Sequence, residues 1–184
     1  MYTPRVVEQA YVSFLLSMDN TFGIPIIPEN EDERLAKLRS LNILNKYEEE
    51  GPFKHIVSIA SRMFDVPIAL VNFVDMDYVV TRAGVGMDGE NRISRGTSLC
   101  SLSILRQETT VFEDARDNPC LLANPLVVGD FGLQFYAGAP LITSDGYSIG
   151  ALCIVDKEPR EFSESDRKML ESLASAVMDE IEKK

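Results

Sequence analysis

Two apolar segments, Leu133–Ile142 and Ser148–Val155, flank a short polar turn and form the clearest pattern along the chain. The turn contains Asp145-Gly146, and this dipeptide between two apolar runs is a strong signal of a β-hairpin. A strand with one wet face alternates apolar and polar residues, whereas both alternating sets are apolar here. The pattern therefore predicts a hairpin whose two faces are both covered, either by helices or by a ligand pocket.

Small residues recur in both hairpin segments, at Ala137, Gly138, Ala139, Gly150 and Ala151. Small side chains allow another group to approach a sheet closely. A packed helix and a bound molecule can each fill such a space, and close helix packing is the more ordinary of the two. The composition of the hairpin alone leaves both interpretations open.

Hydrophobic periodicity predicts the other elements. Apolar residues at helical spacing predict helices over residues 4–20, 31–44, 52–64 and 163–183, and a short helix over 97–105. Shorter apolar runs predict strands at residues 68–75, 78–83 and 109–112. Ser163 and Asp166 form a variant of the capping box, which marks the start of the last helix.

Length and composition indicate a single globular domain: the chain has 184 residues, 45% of them hydrophobic and 26% charged. The formal net charge of -11 disfavours a nucleic acid or an anionic membrane as a partner. No apolar stretch is long enough to span a bilayer, and the N-terminus does not have the pattern of a secretory signal. Three cysteines do not make a disulfide framework, so we expect a cytoplasmic location.

Several motifs follow one another in a specific order. ERLAKLRSLNIL, VPIALVNFVD, SLCSLSI and VFEDARDNP precede FYAGAPL, the Asp-Gly turn, IGALCIVD and a Pro-Arg pair. In this order they resemble a GAF domain of the subgroup found in bacterial signalling proteins. The resemblance implies an α/β (α+β) fold, with a central antiparallel sheet of about six strands flanked by helices on both faces. We expect residues 1–30 to form an N-terminal helix and linker, and residues 31–184 to form the GAF domain.

The resemblance also implies a place for a ligand, between one face of the sheet and the short helices and loops that cover it. The matching covers are residues 97–101 and 114–124. The predicted ligand-binding residues are Phe73, Asp75, Ser98, Cys100, Asp114, Arg116, Asn118, Phe135 and Tyr136. The polar residues near Asp114 could supply the few polar groups of a mostly apolar pocket. They could equally cap loops and pair with one another.

The cysteines are the main candidates for chemistry. Cys100 lies at a predicted helix start, where the helix dipole lowers the pKa of a thiol, and Cys120 lies in a loop. Cys153 lies among apolar residues in a strand, so we expect an inert core thiol. Some GAF-type enzymes reduce free methionine sulfoxide through a sulfenic acid and a resolving disulfide. A reductase of that type would use Cys100 and Cys120, although the cysteine spacing differs from that group of enzymes.

No acid–base or nucleophile constellation and no zinc-ligand spacing is visible in the sequence. We therefore expect no catalytic residue, no metal site and no hydrolase or transferase activity, and the sequence points to no particular cofactor. The predicted function is a non-catalytic sensory or regulatory module. Its partner would be a small molecule or a signalling protein such as a histidine kinase or cyclase.

Two alternatives to the sensory module remain: the methionine sulfoxide reductase that uses Cys100 and Cys120, and a ligand-free dimerisation scaffold. We also expect a homodimer. The predicted helices over residues 4–20 and 163–183 each carry an apolar stripe, and one domain need not bury both.

Overall fold

A computed structural model of the chain describes residues 20–45, 47–87 and 91–183. Six antiparallel strands form one sheet in the order β3-β2-β1-β6-β5-β4. The strands are β1 (Ile68–Val74), β2 (Tyr78–Val85), β3 (Arg92–Ser94), β4 (Thr110–Phe112), β5 (Phe135–Ile142) and β6 (Ser148–Asp156). Helices cover the sheet, which confirms the predicted α+β fold with about six antiparallel strands.

Five helices accompany the sheet in the described part of the chain. They are α1 (Glu31–Ser40), α2 (Pro52–Met63), α3 (Cys100–Ser103), α4 (Pro125–Val128) and α5 (Glu164–Glu182). Two 3₁₀ turns, Ala115–Asp117 and Pro119–Leu121, lie between β4 and α4. The predicted helix over residues 4–20 lies outside the described residues, apart from Asn20.

Several elements differ from the sequence prediction. Helix α1 ends at Ser40 instead of residue 44, and Asn42 just beyond it has a positive φ of 52°, which does not continue a right-handed helix. Helix α3 has 4 residues, fewer than the predicted 97–105. Strand β3 was not predicted, because a strand of 3 residues is too short to show a period of two.

The two faces of the sheet bury different cores. One core lies beneath α1, α2 and α5 and includes Phe73, Phe135 and Leu152; we call this face the helix side. The other lies beneath α3 and the loops around it and includes Tyr136 and Cys153; we call this face the cavity side. Consecutive residues of a strand point to opposite faces, which is why both alternating sets of the hairpin are apolar.

Helix α5 uses its apolar stripe to cover the helix side. Its capping box forms as predicted: the Ser163 side chain accepts a hydrogen bond from the Asp166 amide, and the Asp166 carboxylate accepts one from the Ser163 amide. The stripe is buried in the domain's own core and consists of Leu170, Ala174, Val177, Met178 and Ile181. Little of this stripe is therefore free for a second copy. The homodimer stays a prediction, and it now depends mainly on the helix predicted over residues 4–20.

Residues 20–30, predicted as part of a linker, pack on the domain. Phe22 and Ile26 are buried in the cavity-side core, and the Thr21 amide donates a hydrogen bond to the Gly96 carbonyl at 2.9 Å. The predicted boundary at residue 30 therefore lies inside the packed part of the chain. Among the helices of the described residues, none combines the length and the apolar character that a bilayer crossing requires.

Candidate functional site: a cavity beside two thiols

A cavity of about 70 Å³ lies between the cavity side of the sheet and the segments around α3 and α4. One enclosed water needs roughly 10–15 Å³ by this kind of measure, so the space suits several waters or a small organic molecule. The apolar lining consists of Leu70, Met87, Ile93, Leu99, Leu126, Phe131, Leu133 and Val155. The polar and sulfur-containing lining consists of Asn72, Thr81, Arg92, Ser98, Cys100, Tyr136 and Cys153.

Gly138 makes room for a buried hydroxyl pair at this site. The Ser103 Oγ and Tyr136 Oη atoms lie 2.7 Å apart and form a hydrogen bond over the sheet. A Cβ atom at residue 138 would lie 2.3 Å from Tyr136 Oη and 2.4 Å from Ser103 Oγ, which are impossible contacts. Gly138, one of the small hairpin residues, therefore allows the Tyr136 side chain to lie close above its own strand.

The Cys100 sulfur is the centre of a buried hydrogen-bond network. Tyr136 Oη donates to Cys100 Sγ at 3.3 Å, and Asn72 Nδ2 donates to the same atom at 3.3 Å. The Cys153 Sγ atom lies 3.7 Å from Cys100 Sγ and 3.8 Å from Asn72 Nδ2. Each thiol is 1% exposed, so this cluster is closed to bulk solvent except through the cavity.

This network lowers the pKa of the Cys100 thiol from 9.0 to about 7. The largest cause is the hydrogen bond shared with Cys153; burial opposes it by raising the pKa, and the bonds from Tyr136 and Asn72 lower it further. The pKa of Cys153 is raised well above its usual range, by its bond to Cys100 and by burial. Burial and the adjacent sulfurs also raise the pKa of Tyr136. Of these two thiols, Cys100 is therefore the one that loses its proton more readily at neutral pH.

Asn72 contributes an unused hydrogen-bond acceptor. Its side chain lines the cavity and is 4% exposed, and its Oδ1 atom has no hydrogen-bond partner within residues 20–45, 47–87 and 91–183. A buried carbonyl oxygen without a partner is unfavourable by about 1–3 kcal/mol. A ligand that donates one hydrogen bond to this oxygen would remove that penalty.

The structure brings three of the predicted site residues together. Ser98, Cys100 and Tyr136 all line the cavity. Phe73 and Phe135 do not, because both are fully buried in the core on the helix side. Since Tyr136 faces the cavity, strand alternation places its neighbour Phe135 on the opposite face. Asp75 lies just beyond β1, where its carboxylate contacts the Arg39 guanidinium at 3.4 Å.

The polar residues near Asp114 bond to one another outside the cavity. The Arg116 guanidinium donates to both carboxylate oxygens of Asp114, at 2.9 and 2.6 Å, and lowers the pKa of that carboxyl. Asn118 Nδ2 donates to the Asp114 carbonyl at 3.0 Å. Of the two interpretations that the sequence leaves open, loop capping is the one that this geometry matches.

Sequence reasoning did not select Asn72 or Cys153 for the site. Asn72 is the one polar residue of β1, and that exception in an apolar strand was the available signal. Cys153 is in the core as predicted, but it contacts Cys100 across 53 residues of sequence. Cys120, the predicted partner of Cys100 in a reductase, does not line the cavity. In the described part of the chain, no three His, Cys, Asp or Glu side chains could together hold a metal ion.

The domain is therefore of the α+β class. Its six-stranded antiparallel sheet packs against α1, α2 and α5 on one face, and on the other face it encloses a small cavity beneath α3. A family model described as "GAF domain" matches residues 49–181. The chain therefore belongs to the GAF domain family, as its motifs indicate.

Known proteins resemble the chain over most of its length. A cyclic di-GMP phosphodiesterase of Pseudomonas aeruginosa is 37% identical over 155 residues, which are 84% of this chain and 26% of that protein. The GAF domain of an Acinetobacter phosphoenolpyruvate-protein phosphotransferase has a TM-score of 0.60 at 17% identity, covering 82% of this chain and 94% of that one. A free methionine-R-sulfoxide reductase of Thermoplasma acidophilum has a TM-score of 0.58 at 20% identity, covering 82% and 96%.

These similarities correct one expectation. From its sequence the chain is expected to have no enzymatic and no hydrolase activity, whereas the relative with 37% identity is named a phosphodiesterase. The prediction of a protein without enzymatic activity is therefore wrong. That prediction relied on the lack of a visible catalytic constellation in the sequence. A domain without catalytic residues of its own can still be part of an enzyme. The chain spans about a quarter of the length of that relative.

Proposed function

We propose that the chain is a GAF domain of a cyclic di-GMP phosphodiesterase and that occupancy of its cavity controls hydrolysis of cyclic di-GMP. The observation that carries this proposal is the 37% identity to a protein of that name over 84% of the chain. Similarity at this level, over nearly the whole domain, supports a shared role more strongly than the fold alone does. The structural neighbours near 20% identity support only the fold.

The ligand of the cavity is smaller than cyclic di-GMP. Cyclic di-GMP carries two guanine bases and two phosphates, and the cavity has a volume of about 70 Å³ with a mainly apolar lining. The whole chain has a net charge of -11, which repels a dianion at long range. The nucleotide is therefore the proposed substrate of the phosphodiesterase, and the cavity takes a different molecule.

The chemistry of the lining describes that molecule. Most of the wall is aliphatic or aromatic, so the ligand has an apolar body. Asn72 Oδ1 offers one unsatisfied acceptor at the floor, so the ligand carries a hydrogen-bond donor. Binding would combine burial of apolar surface with satisfaction of this oxygen, and both favour the occupied state.

The same strands connect the cavity to the helices on the opposite face. Asn72 and Cys153 point into the cavity, while their neighbours Phe73 and Leu152 belong to the helix-side core. That core also contains Leu170 and Val177 of α5. A change in the position of β1 or β6 on ligand binding would therefore reach α5 through packed side chains.

The test is cyclic di-GMP hydrolysis by the polypeptide that naturally carries this sequence. Leu126 lines the cavity and is half-buried, so we expect the larger side chain of Leu126→Trp to fill the space. Leu122 is 57% exposed and does not line the cavity, so Leu122→Trp is the matched control. We expect hydrolysis by the parent protein, a change of about fivefold or more with Leu126→Trp, and no change with Leu122→Trp. No hydrolysis, or equal rates in both variants, would contradict the proposal.

We further propose that the protein works in the cytoplasm as a homodimer. The support for the homodimer is the apolar periodicity of residues 4–20. The apolar stripe of α5 leaves little surface for an interface, because it is buried in the core of its own domain. Light scattering on the chain and on a form lacking residues 1–19 tests it; a dimer that becomes a monomer is expected. Deletion to residue 28 would remove Phe22 and Ile26 from the core and would not be a fair test. A full chain that is monomeric at high micromolar concentration would contradict the homodimer.

A further inference from the structure

Two cysteines that are far apart in sequence meet at the inner end of the cavity. Cys100 begins helix α3, and Cys153 lies within strand β6. Their sulfurs are 3.7 Å apart, close to van der Waals contact, and both line the cavity. Tyr136 Oη and Asn72 Nδ2 each donate to Cys100 Sγ at 3.3 Å. Packing of a hydrophobic core does not require two thiols in contact, and it does not require two hydrogen-bond donors directed at one of the sulfurs.

We propose that Cys100 and Cys153 are a peroxide-oxidisable dithiol, which a small hydroperoxide entering the cavity converts to a disulfide. This inference goes beyond the proposed control of cyclic di-GMP hydrolysis and does not depend on it. It gives the domain a second signal besides a bound ligand: an oxidant that enters the cavity causes a covalent bond to form inside the domain. The resulting cross-link would join α3 to β6.

The first step oxidises Cys100. Its thiolate attacks the terminal oxygen of the hydroperoxide ROOH, the S–O bond forms and the O–O bond breaks. Cys100 becomes a sulfenic acid that keeps the terminal O–H, and the leaving alkoxide takes a proton to become ROH. Tyr136 Oη, 3.3 Å from Cys100 Sγ, is the nearest donor of that proton and regains it from water. Sulfur is oxidised by two electrons, and the peroxide is reduced by two.

The second step forms the disulfide. The Cys153 sulfur attacks Cys100 Sγ, and hydroxide leaves with the proton of the Cys153 thiol as water. The sum of both steps consumes two thiols and one ROOH and yields one disulfide, ROH and water. The sulfurs must approach from 3.7 Å to about 2.05 Å, which a rotation of the Cys100 side chain on the short helix α3 can contribute to. A dithiol reductant restores both thiols by exchange.

The environment gives the two cysteines different roles. Only a thiolate attacks a peroxide rapidly, and the pKa of Cys100 is lowered to about 7 while that of Cys153 is raised well above its usual range. Cys100 is therefore the attacking residue and Cys153 the resolving one. Asn72 Oδ1, which has no partner among the described side chains and backbone groups, can accept the O–H of the bound hydroperoxide.

Access determines which oxidants react. Each of the two thiols is 1% exposed, so an oxidant reaches them through the cavity of about 70 Å³. Hydrogen peroxide and small apolar hydroperoxides fit this space, and bulky ones do not. Cys120 is half-buried outside the cavity and provides an internal comparison in the same chain.

The experiment treats the folded full chain with hydrogen peroxide or tert-butyl hydroperoxide and then alkylates free thiols after unfolding. We expect a mass lowered by two hydrogen atoms, peptides linked through Cys100 and Cys153, and an alkylated Cys120. The Cys120→Ser variant should form the same disulfide at the same rate. Circular dichroism confirms that each variant is folded before oxidation.

Two further variants test the assigned steps. Cys153→Ser should stop at the sulfenic acid, which dimedone labels on Cys100. Tyr136→Phe should slow oxidation by about a hundredfold, the loss expected when a positioned proton donor is removed, and Tyr147→Phe should not. The proposal is overturned if Cys120 reacts first while Cys100 and Cys153 stay alkylatable. It is also overturned if the disulfide forms equally fast in the unfolded chain. Neither result changes the expected hydrolysis of cyclic di-GMP, so the two proposals fail separately.

Discussion

The side chain of Asn72 donates a hydrogen bond from Nδ2 to the Sγ atom of Cys100 at 3.3 Å. A hydrogen bond to the thiolate favours the charged form, and this one helps to bring the pKa of Cys100 down from 9.0 to about 7. Asn72→Leu removes the donor and keeps the branched shape of the side chain. We predict that it raises the pKa of Cys100, as measured from the ultraviolet absorbance of the thiolate in a Cys120→Ser background. The exposed Asn45 gives the control variant Asn45→Leu, and an equal pKa in both variants would contradict this account.

The lowered pKa of Cys100 makes the stability of the protein depend on pH. Between pH 7 and 9 the folded state releases a proton from Cys100 that the unfolded state still holds, so the free energy of unfolding rises with pH. The gain is on the order of 2 kcal/mol, and below pH 7 it is absent. Denaturant unfolding of the wild type and of Cys100→Ser should therefore diverge across this range. Parallel pH profiles would show that Cys100 is not a thiolate in the folded protein.

Gly138 is predicted to be required by the Ser103–Tyr136 hydrogen bond. In Gly138→Ala, the new Cβ atom would lie 2.3 Å from Tyr136 Oη and 2.4 Å from Ser103 Oγ. We expect a loss of about 1–3 kcal/mol in the free energy of unfolding, because a well-packed core does not accept an added methyl group. The same substitution in a Ser103→Ala, Tyr136→Phe background should cost less, since the two obstructing oxygens are absent. If Gly138→Ala lowers the free energy of unfolding equally in both backgrounds, these two oxygens are not the atoms that exclude the new methyl group.

Glu31 holds two buried guanidinium groups in place. Its carboxylate accepts from Arg34 at 2.9 and 3.0 Å and from Arg95, and the three side chains are 14%, 1% and 4% exposed. Burial alone would raise the pKa of Glu31, but the hydrogen bonds from Arg34 and Arg95 outweigh it and the pKa is lowered from 4.5. Glu31→Gln should lower the free energy of unfolding by about 3 kcal/mol at neutral pH, because it leaves buried positive charge uncompensated.

The exposed carboxylate one residue further along α1 provides the control for Glu31. Asp32→Asn removes the same charge from the same helix turn and should change stability by less than about 0.5 kcal/mol. The stabilising effect of Glu31 is present above its ordinary pKa of 4.5 and is lost as pH falls through its lowered value. The difference in the free energy of unfolding between the wild type and Glu31→Gln should therefore become smaller in acid. A difference that stays constant down to the pH of acid unfolding would contradict the ion-pair explanation.

The fold could be predicted from the sequence because its signals are local and repeated. The Asp145-Gly146 turn, with φ of 93° at Gly146, and the capping box at Ser163 each fix one boundary. Short elements such as β3 lack such signals. Its 3 residues form a strand only because β2 lies beside them.

The site was harder to predict because its members meet only in the folded chain. The alternation of β5 could have excluded Phe135 once Tyr136 was chosen, because the two residues face opposite sides of the sheet. No local pattern, however, shows that Cys153 contacts Cys100, since that contact depends on how α3 packs on β6. Asn72 was visible as an exception in an apolar strand, and its role became clear only from its contact with Cys100.

The most direct test of the ligand-binding cavity is the melting temperature of the protein in the presence of small alcohols, amides and phenols, which combine an apolar body with a hydrogen-bond donor. A ligand that binds only the folded state raises the melting temperature, and the rise increases with the logarithm of the ligand concentration once this exceeds the Kd. We predict a dose-dependent rise for the wild type and Leu122→Trp, a smaller rise for Asn72→Leu, and none for Leu126→Trp. If no compound raises the melting temperature, or if Leu126→Trp responds as the wild type does, the cavity is not the ligand site.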